Sequence, residues 1–269
     1  NTGGLVGYFY DSAKIASSTA FGNVSGTSSV GGLIGQTRYS NTISDSKAYG
    51  WVSGSSRVGG LVGEVPLSGV TITNSEANNS VTGSFNNSGT TVFFGVKGSN
   101  SFVGGLVGYL NASSITGSTA NTVVIGQSTD VGGLVGQMAG GASIQSSGSL
   151  GSVTGVGSVG GLVGSMTYSS TVSGSYANAN VTSTGGNTGG FVGYFNTTGS
   201  ISDSRASGSV TGTSSVGGFM GGMTISGGVS RSYATGMVTA TGDYAGGFIG
   251  YVDDGSNGYY NRTVQDFYA

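Results

Sequence analysis

Cysteine and histidine are both absent from this chain of 269 residues, and proline occurs once. Without cysteine there is no disulfide framework, no thiolate nucleophile and no sulfur ligand for a metal. Without histidine, every triad that depends on an imidazole base is excluded too. Charge is equally scarce: Lys and Arg together number 8, Asp and Glu 10. The basic residues are scattered, so the electrostatic footprint that nucleic acid requires is missing. No apolar run reaches the roughly 18 residues that a membrane-spanning helix needs. Helical patterns rich in Ala or in Leu, Glu and Lys are lacking as well. Val, Ile, Thr, Ser and Tyr are plentiful, which favours strands.

What the chain has in quantity is glycine, at 57 residues. A polar, glycine-rich composition would by itself suit disorder, but the periodicity argues otherwise. The pentapeptide Gly31-Gly32-Leu33-Ile34-Gly35 recurs nine times, its first glycine falling at Gly3, Gly31, Gly59, Gly104, Gly132, Gly160, Gly189, Gly217 and Gly246. The intervals are 28, 28, 45, 28, 28, 29, 28 and 29 residues. About a dozen residues after each motif comes an apolar residue, at Ile15, Ile43, Ile72, Ile115, Ile144, Val172, Ile201 and Val229. A serine follows it three residues on, and a valine nine residues on (Val24, Val52, Val81, Val124, Val153, Val181, Val210 and Val238). Such a period is the mark of stacked repeats.

The fold class expected is therefore all-β: one parallel β-helix or β-solenoid over 1–269, about nine coils of 28–29 residues with three short strands per coil. One strand runs through the glycine motif, one through Ile-x-x-Ser-x-Ala, and one ends at a Val-x-Gly turn. Alternation points Ile43, Ala48 and Val52 inward, with Ser46 turned in at a bend to hydrogen-bond its counterparts in a ladder. The long interval places an insertion at 84–102, projecting from the third coil as a loop or hairpin. Residues 251–269 form an atypical, aromatic-rich terminal coil that suits a cap, whereas the first coil shows none. The opening Asn1-Thr2-Gly3-Gly4 recurs at Asn187-Thr188-Gly189-Gly190, which reads as a processed protein or a piece of a longer repeat array.

The glycine pentapeptide followed by Ile-x-x-Ser-x-Ala and Val-x-Gly resembles the GLUG-motif repeat of bacterial surface proteins. The best matches are Val159-Gly160-Gly161-Leu162-Val163-Gly164 with Val172-Ser173-Gly174-Ser175-Tyr176-Ala177, and Val229-Ser230-Arg231-Ser232-Tyr233-Ala234. The resemblance implies a β-solenoid in large secreted or cell-wall proteins, adhesins among them. It implies no catalytic residue.

Elongated β-helices include carbohydrate-active enzymes, so the carboxylates matter. A glycosidase needs two of them roughly 5 to 9.5 Å apart. Asp45 and Asp203 share a column but lie five coils apart, and Asp130 and Asp243 sit in equivalent turns four coils apart. Asp203 with Arg231, and Lys47 with Glu76, pair across adjacent coils as surface ion pairs. Asp253-Asp254-Gly255-Ser256-Asn257 has oxygen donors but no calcium-loop spacing. An outward column of Ser25, Ser53, Thr82, Thr154, Thr182, Thr211 and Thr239 lacks the second threonine column of an ice-binding face. No catalytic residue, metal or cofactor is expected.

One candidate interaction surface remains. The Val/Ile column of the motif (Val6, Ile34, Val62, Val107, Val135, Val163, Val192, Met220 and Ile249) faces outward beside Tyr8, Tyr109, Tyr194 and Tyr251 if the strand is regular. Phe93, Phe94 and Lys97 of the insertion extend the candidate set. The competing reading, a glycine-made bend that turns both apolar columns inward, is the favoured one. The function expected is non-enzymatic: a stiff rod for display, adhesion or assembly in an extracellular or cell-surface protein. The alternatives are a self-assembling filament or biofilm-matrix subunit, and a polysaccharide-binding or -degrading β-helix. Partners expected are further copies or adjoining repeats of a longer chain, end to end or side by side, and host or matrix glycans and proteins.

Overall fold

The computed structural model describes residues 1–78, 95–127, 129–224 and 227–253, together with the backbone of Thr263–Tyr268. Each strand pairs in parallel with its counterpart one repeat away, giving three sheets that run the length of the stack. Sheet 1 holds nine short strands, beginning with Thr2–Gly3 and Ser28–Gly31 and ending with Ala245–Gly246. Sheet 2 holds nine more, from Val6–Tyr10 and Ile34–Arg38 to Ile249–Asp253. Sheet 3 carries the rest of each coil, for example Thr42–Ser44, Lys47–Ala48 and Val52–Gly54. The architecture is the all-β parallel β-solenoid expected, its nine layers spanning eight complete turns.

The glycine motif departs from expectation, because it is not one strand. Val30-Gly31 closes a strand of sheet 1, Gly32-Leu33 bends, and Ile34-Gly35 opens a strand of sheet 2. After the bend the two sheets lie against each other with only glycine between them. A methyl group on Gly63 would sit 2.5 Å from Val30 N and 2.6 Å from Gly35 O. One on Gly31 would overlap Ile34 O and come to 2.7 Å from Gly63 N. The contact is backbone on backbone, and it recurs at Gly104, Gly132, Gly160, Gly189 and Gly217. No side chain fits there.

The bend also decides the core. Leu33 and Ile34 are adjacent in sequence, yet both are fully buried. They join Ile43, Ala48 and their counterparts in a large core between sheets 2 and 3, where Phe191, Phe219 and Phe248 stack at 4.6 and 4.8 Å. A second core is almost wholly valine: Val30, Val52, Val58, Val96, Val103 and their equivalents between sheets 1 and 3. Each fully buried Leu, Val or Ile contributes about 1.5–3 kcal/mol, so stability accrues coil by coil. One coil exposes too much of this surface to stand alone.

The inward serine ladder is present. Before each serine the chain turns through a left-handed residue: Ser17, Asp45, Asn74, Gly117, Ser146, Gly174, Asp203 and Arg231 all have φ between 44° and 59°. Each serine hydroxyl then donates to the carbonyl two residues back at 2.7–3.0 Å. Each hydroxyl from Ser46 to Ser232 also accepts the amide of the preceding coil's serine at 3.1–3.2 Å. Backbone groups that the corner takes out of the sheet are thereby satisfied.

Register corrects the placement of the insertion. Val96, not Val81, pairs with Val52 and Val124, so Val96-Lys97-Gly98 is the wall strand of the third coil. The extra residues therefore precede Val96, and most of 84–102 lies either in the wall (Val96–Gly98) or outside the described residues. At the far end, Thr263–Tyr268 pairs in parallel with the strand Gly228–Ala234, placing Val264 in the Ile/Val column.

Two substitutions test this core. Gly63→Ala drives a methyl into backbone and is expected to destabilise by about 3 kcal/mol or more, whereas Gly22→Ala, with nothing within 4 Å of its methyl, changes little. Thr188 stands in the valine column between Val159 and Val216, fully buried, with its hydroxyl unpartnered. Thr188→Val is expected to stabilise by roughly 1–2 kcal/mol. Chemical denaturation followed by far-UV circular dichroism reads both, and equal losses at Gly63 and Gly22 would refute the backbone contact.

Candidate functional site

Because the glycine motif folds back on itself, the residue before its valine and the residue after its last glycine meet over the bend. These positions are seven apart in sequence, as in Arg57-Val58-Gly59-Gly60-Leu61-Val62-Gly63-Glu64. Together they make a seam along the edge where sheets 1 and 2 touch. The leading residue is left-handed in six coils, at Ser29, Arg57, Phe102, Asn187, Ser215 and Tyr244, with φ between 42° and 63°. A non-glycine residue pays roughly 1–2 kcal/mol for that conformation, which the contacts across the seam offset.

Those contacts are matched in type. Arg57 Nε lies 3.2 Å from Glu64 Oε1. The rings of Phe102 and Tyr109 stack at 5.4 Å, and those of Tyr244 and Tyr251 pack at 5.0 Å. Gln137 Nε2 donates to Asp130 Oδ2 at 3.2 Å. The seam is also linked along the axis. Asn1 Nδ2 donates to Gln36 Oε1 at 2.8 Å, and Gln36 Nε2 to Glu64 Oε2 at 2.8 Å. Ser29 Oγ donates to the same Glu64 oxygen at 2.5 Å.

Glu64 is 6% exposed, and three donors surround its carboxylate. Removing any one leaves a buried charge short of a partner, the costly way to break such a pair. Asp130 is 9% exposed, and burial pushes its carboxyl up to about 6. Tyr109 lies between them. Its phenol is raised first by burial and then by the Glu64 charge.

Glu64 and Asp130 are two coils apart, roughly 10 Å along the axis at the strand spacing. The Phe102–Tyr109 stack occupies the coil between the two carboxylates. Asp203 and Arg231 do pair across adjacent coils, at 2.6 and 2.8 Å, both exposed, and the arginine holds the Asp203 carboxyl below its ordinary range. Lys47 and Glu76 pair at 3.2 Å, which raises the lysine. Asp130 and Asp243 are not strictly equivalent, since the register aligns Asp130 with Tyr244. No group of three metal-ligating side chains occurs among the described residues; Asp254 lies outside them.

The outward apolar stripe does not form, and the glycine-made bend favoured from the sequence does. Ile34, Val62, Val107, Val135, Val163, Val192 and Met220 are fully buried in the larger core. Val6 and Ile249, in the end coils, pack against it partly buried. The bend at Gly32-Leu33 shifts the alternation by one, so both apolar columns face inward. Lys97 is exposed in the wall, while Phe93 and Phe94 lie outside the described residues. The threonine column is interrupted by Lys97 and Ile125. Glu64, Arg57, Gln36 and Gln137 went unread as a site, although Arg57 and Glu64 flank the third motif with opposite charge. Reading across the motif as a fold-back would have paired them.

No family model, curated protein or solved structure matches this chain.

Asp130 gives the fold a pH dependence. Its folded-state value lies above the ordinary 3.8, so the folded state holds the proton more tightly than the unfolded one. Stability is fully present below about pH 4 and falls as pH rises through about 6, by up to roughly 3 kcal/mol. Asp130→Asn is expected to raise the melting temperature at about pH 8 and to leave it nearly unchanged at about pH 4. An equal gain at both values would show that ionisation is not the cause.

Proposed function

We propose that this chain is a structural and adhesive rod segment of a secreted or surface-anchored bacterial protein, of the kind its GLUG-like repeats resemble. The observation that carries the reading is the glycine contact between sheets 1 and 2, repeated in coil after coil. Two sheets held backbone to backbone cannot shear or splay without breaking many contacts at once, and stiffness along the axis follows. The outer wall is built of short polar side chains, which suits display in water. Adhesion or assembly would use what the rod presents: the aromatic and charged seam, the tyrosines of the turns, and the ends.

A self-assembling filament is the second reading, favoured by the uniform register: successive coils pair in parallel through the same three sheets, so a coil of a second copy could add by the same pairing.

Small-angle scattering with sedimentation separates these readings. A rod segment scatters as a particle roughly 40 Å long, nine coils at the strand spacing, with a length independent of concentration. A filament lengthens with concentration in steps of that size. A compact globular profile would refute both, and release of reducing ends from a polysaccharide would overturn the non-enzymatic reading.

A further inference from the structure

The turns that join sheet 2 to sheet 3 in the sixth and seventh coils enclose a cleft of about 410 Å³. It is lined by Thr167, Tyr168 and Ser169 on one side and by Asn196, Thr197 and Thr198 on the other. Its size is that of a small-ligand site, which typically spans about 300–1,000 Å³.

The lining is specific in character. Tyr168 is 72% exposed and held out on a left-handed residue, φ 53°. The hydroxyls of Ser169 and Thr198 approach to 3.1 Å across the cleft. Thr167 Oγ1 donates to Met138 O at 3.0 Å, and Thr197 Oγ1 accepts the amide of Gly199 at 2.9 Å, so both threonines are anchored. No residue of the lining carries charge.

Each property narrows the ligand. A lining without charge offers nothing to an ionic group. A pair of hydroxyls that keeps donor and acceptor capacity beyond the bond between them favours a ligand with O–H groups over a hydrocarbon. The open tyrosine ring is a platform for the C–H face of a saturated ring, which packs on it by dispersion. A neutral pyranose meets all three conditions.

We propose that this cleft binds a neutral sugar residue, its apolar face on Tyr168 and its hydroxyls on Ser169 and Thr198; this rests on the adhesive reading above and names its partner class. The sugar is a free glycoside or one unit of a longer glycan, the chemistry at the cleft being the same.

The test is saturation-transfer NMR on the full chain. The probes are the methyl glycosides of glucose, galactose, mannose and N-acetylglucosamine, and short oligomers of whichever responds. Transfer to the ring protons of at least one is expected. Tyr168→Ala abolishes it, Tyr168→Phe retains it, and Ser169→Ala combined with Thr198→Val weakens binding several-fold. Tyr244→Ala, at an exposed tyrosine elsewhere, leaves it unchanged. An oligomer that binds more tightly than its monomer identifies a glycan chain as the source. No transfer from any of the four glycosides, or full binding by Tyr168→Ala, overturns the proposal. Solution scattering is blind to the cleft, so a rod that binds no sugar fails here alone.

Discussion

The contact on which the rest of this structure depends is the one between two strands that have no side chains to separate them. Where sheets 1 and 2 meet, glycines face backbone, and even a methyl group would overlap a carbonyl or an amide. Ordinary sheets pack about 10 Å apart because side chains hold them there. Here that layer is missing. The consequence is a cross-section with two separate cores, one mixed and one of valine, on either side of a line of bare backbone. The glycine content that would suggest disorder is the price of this approach.

From that contact the polar features follow. Folding the motif back brings its flanking residues together, and a chain poor in charge thus buries Glu64 beside Arg57 and Asp130 beside Gln137. On the opposite wall, left-handed corners put serines into a ladder in which every inner hydroxyl both donates and accepts. Both devices solve one problem. A turn inside a stack takes peptide groups out of the sheet, and something small and polar must replace the lost partner. Serine does so at the corner; the seam does it at the fold-back with whatever pair each coil supplies.

Much of this could be read from the chain. The inward positions of Ile43, Ala48 and Val52, the buried serine at Ser46 and the parallel stacking all follow from a period repeated often enough to define columns. The third coil misled because it offers two Val-x-Gly triplets, Val81-Thr82-Gly83 and Val96-Lys97-Gly98, and spacing from the preceding serine points to the first. The structure uses the second, for the long interval lies before the wall strand rather than after it. Glu64 is hidden for a different reason: periodicity aligns a residue with its counterparts in other coils, whereas its partner Arg57 lies across a bend.

The sequence alone determined the fold class, the number of layers and most of the inward columns. These are set by periodicity, and periodicity needs no knowledge of where the chain turns. Only the tertiary structure decided whether Ile34 and its equivalents face a partner or the core, and which residues meet at the seam. Both depend on a bend at Gly32-Leu33. Glycine permits that bend without requiring it; what fixes it is the backbone of the adjacent coils, which leaves room for hydrogen and nothing larger.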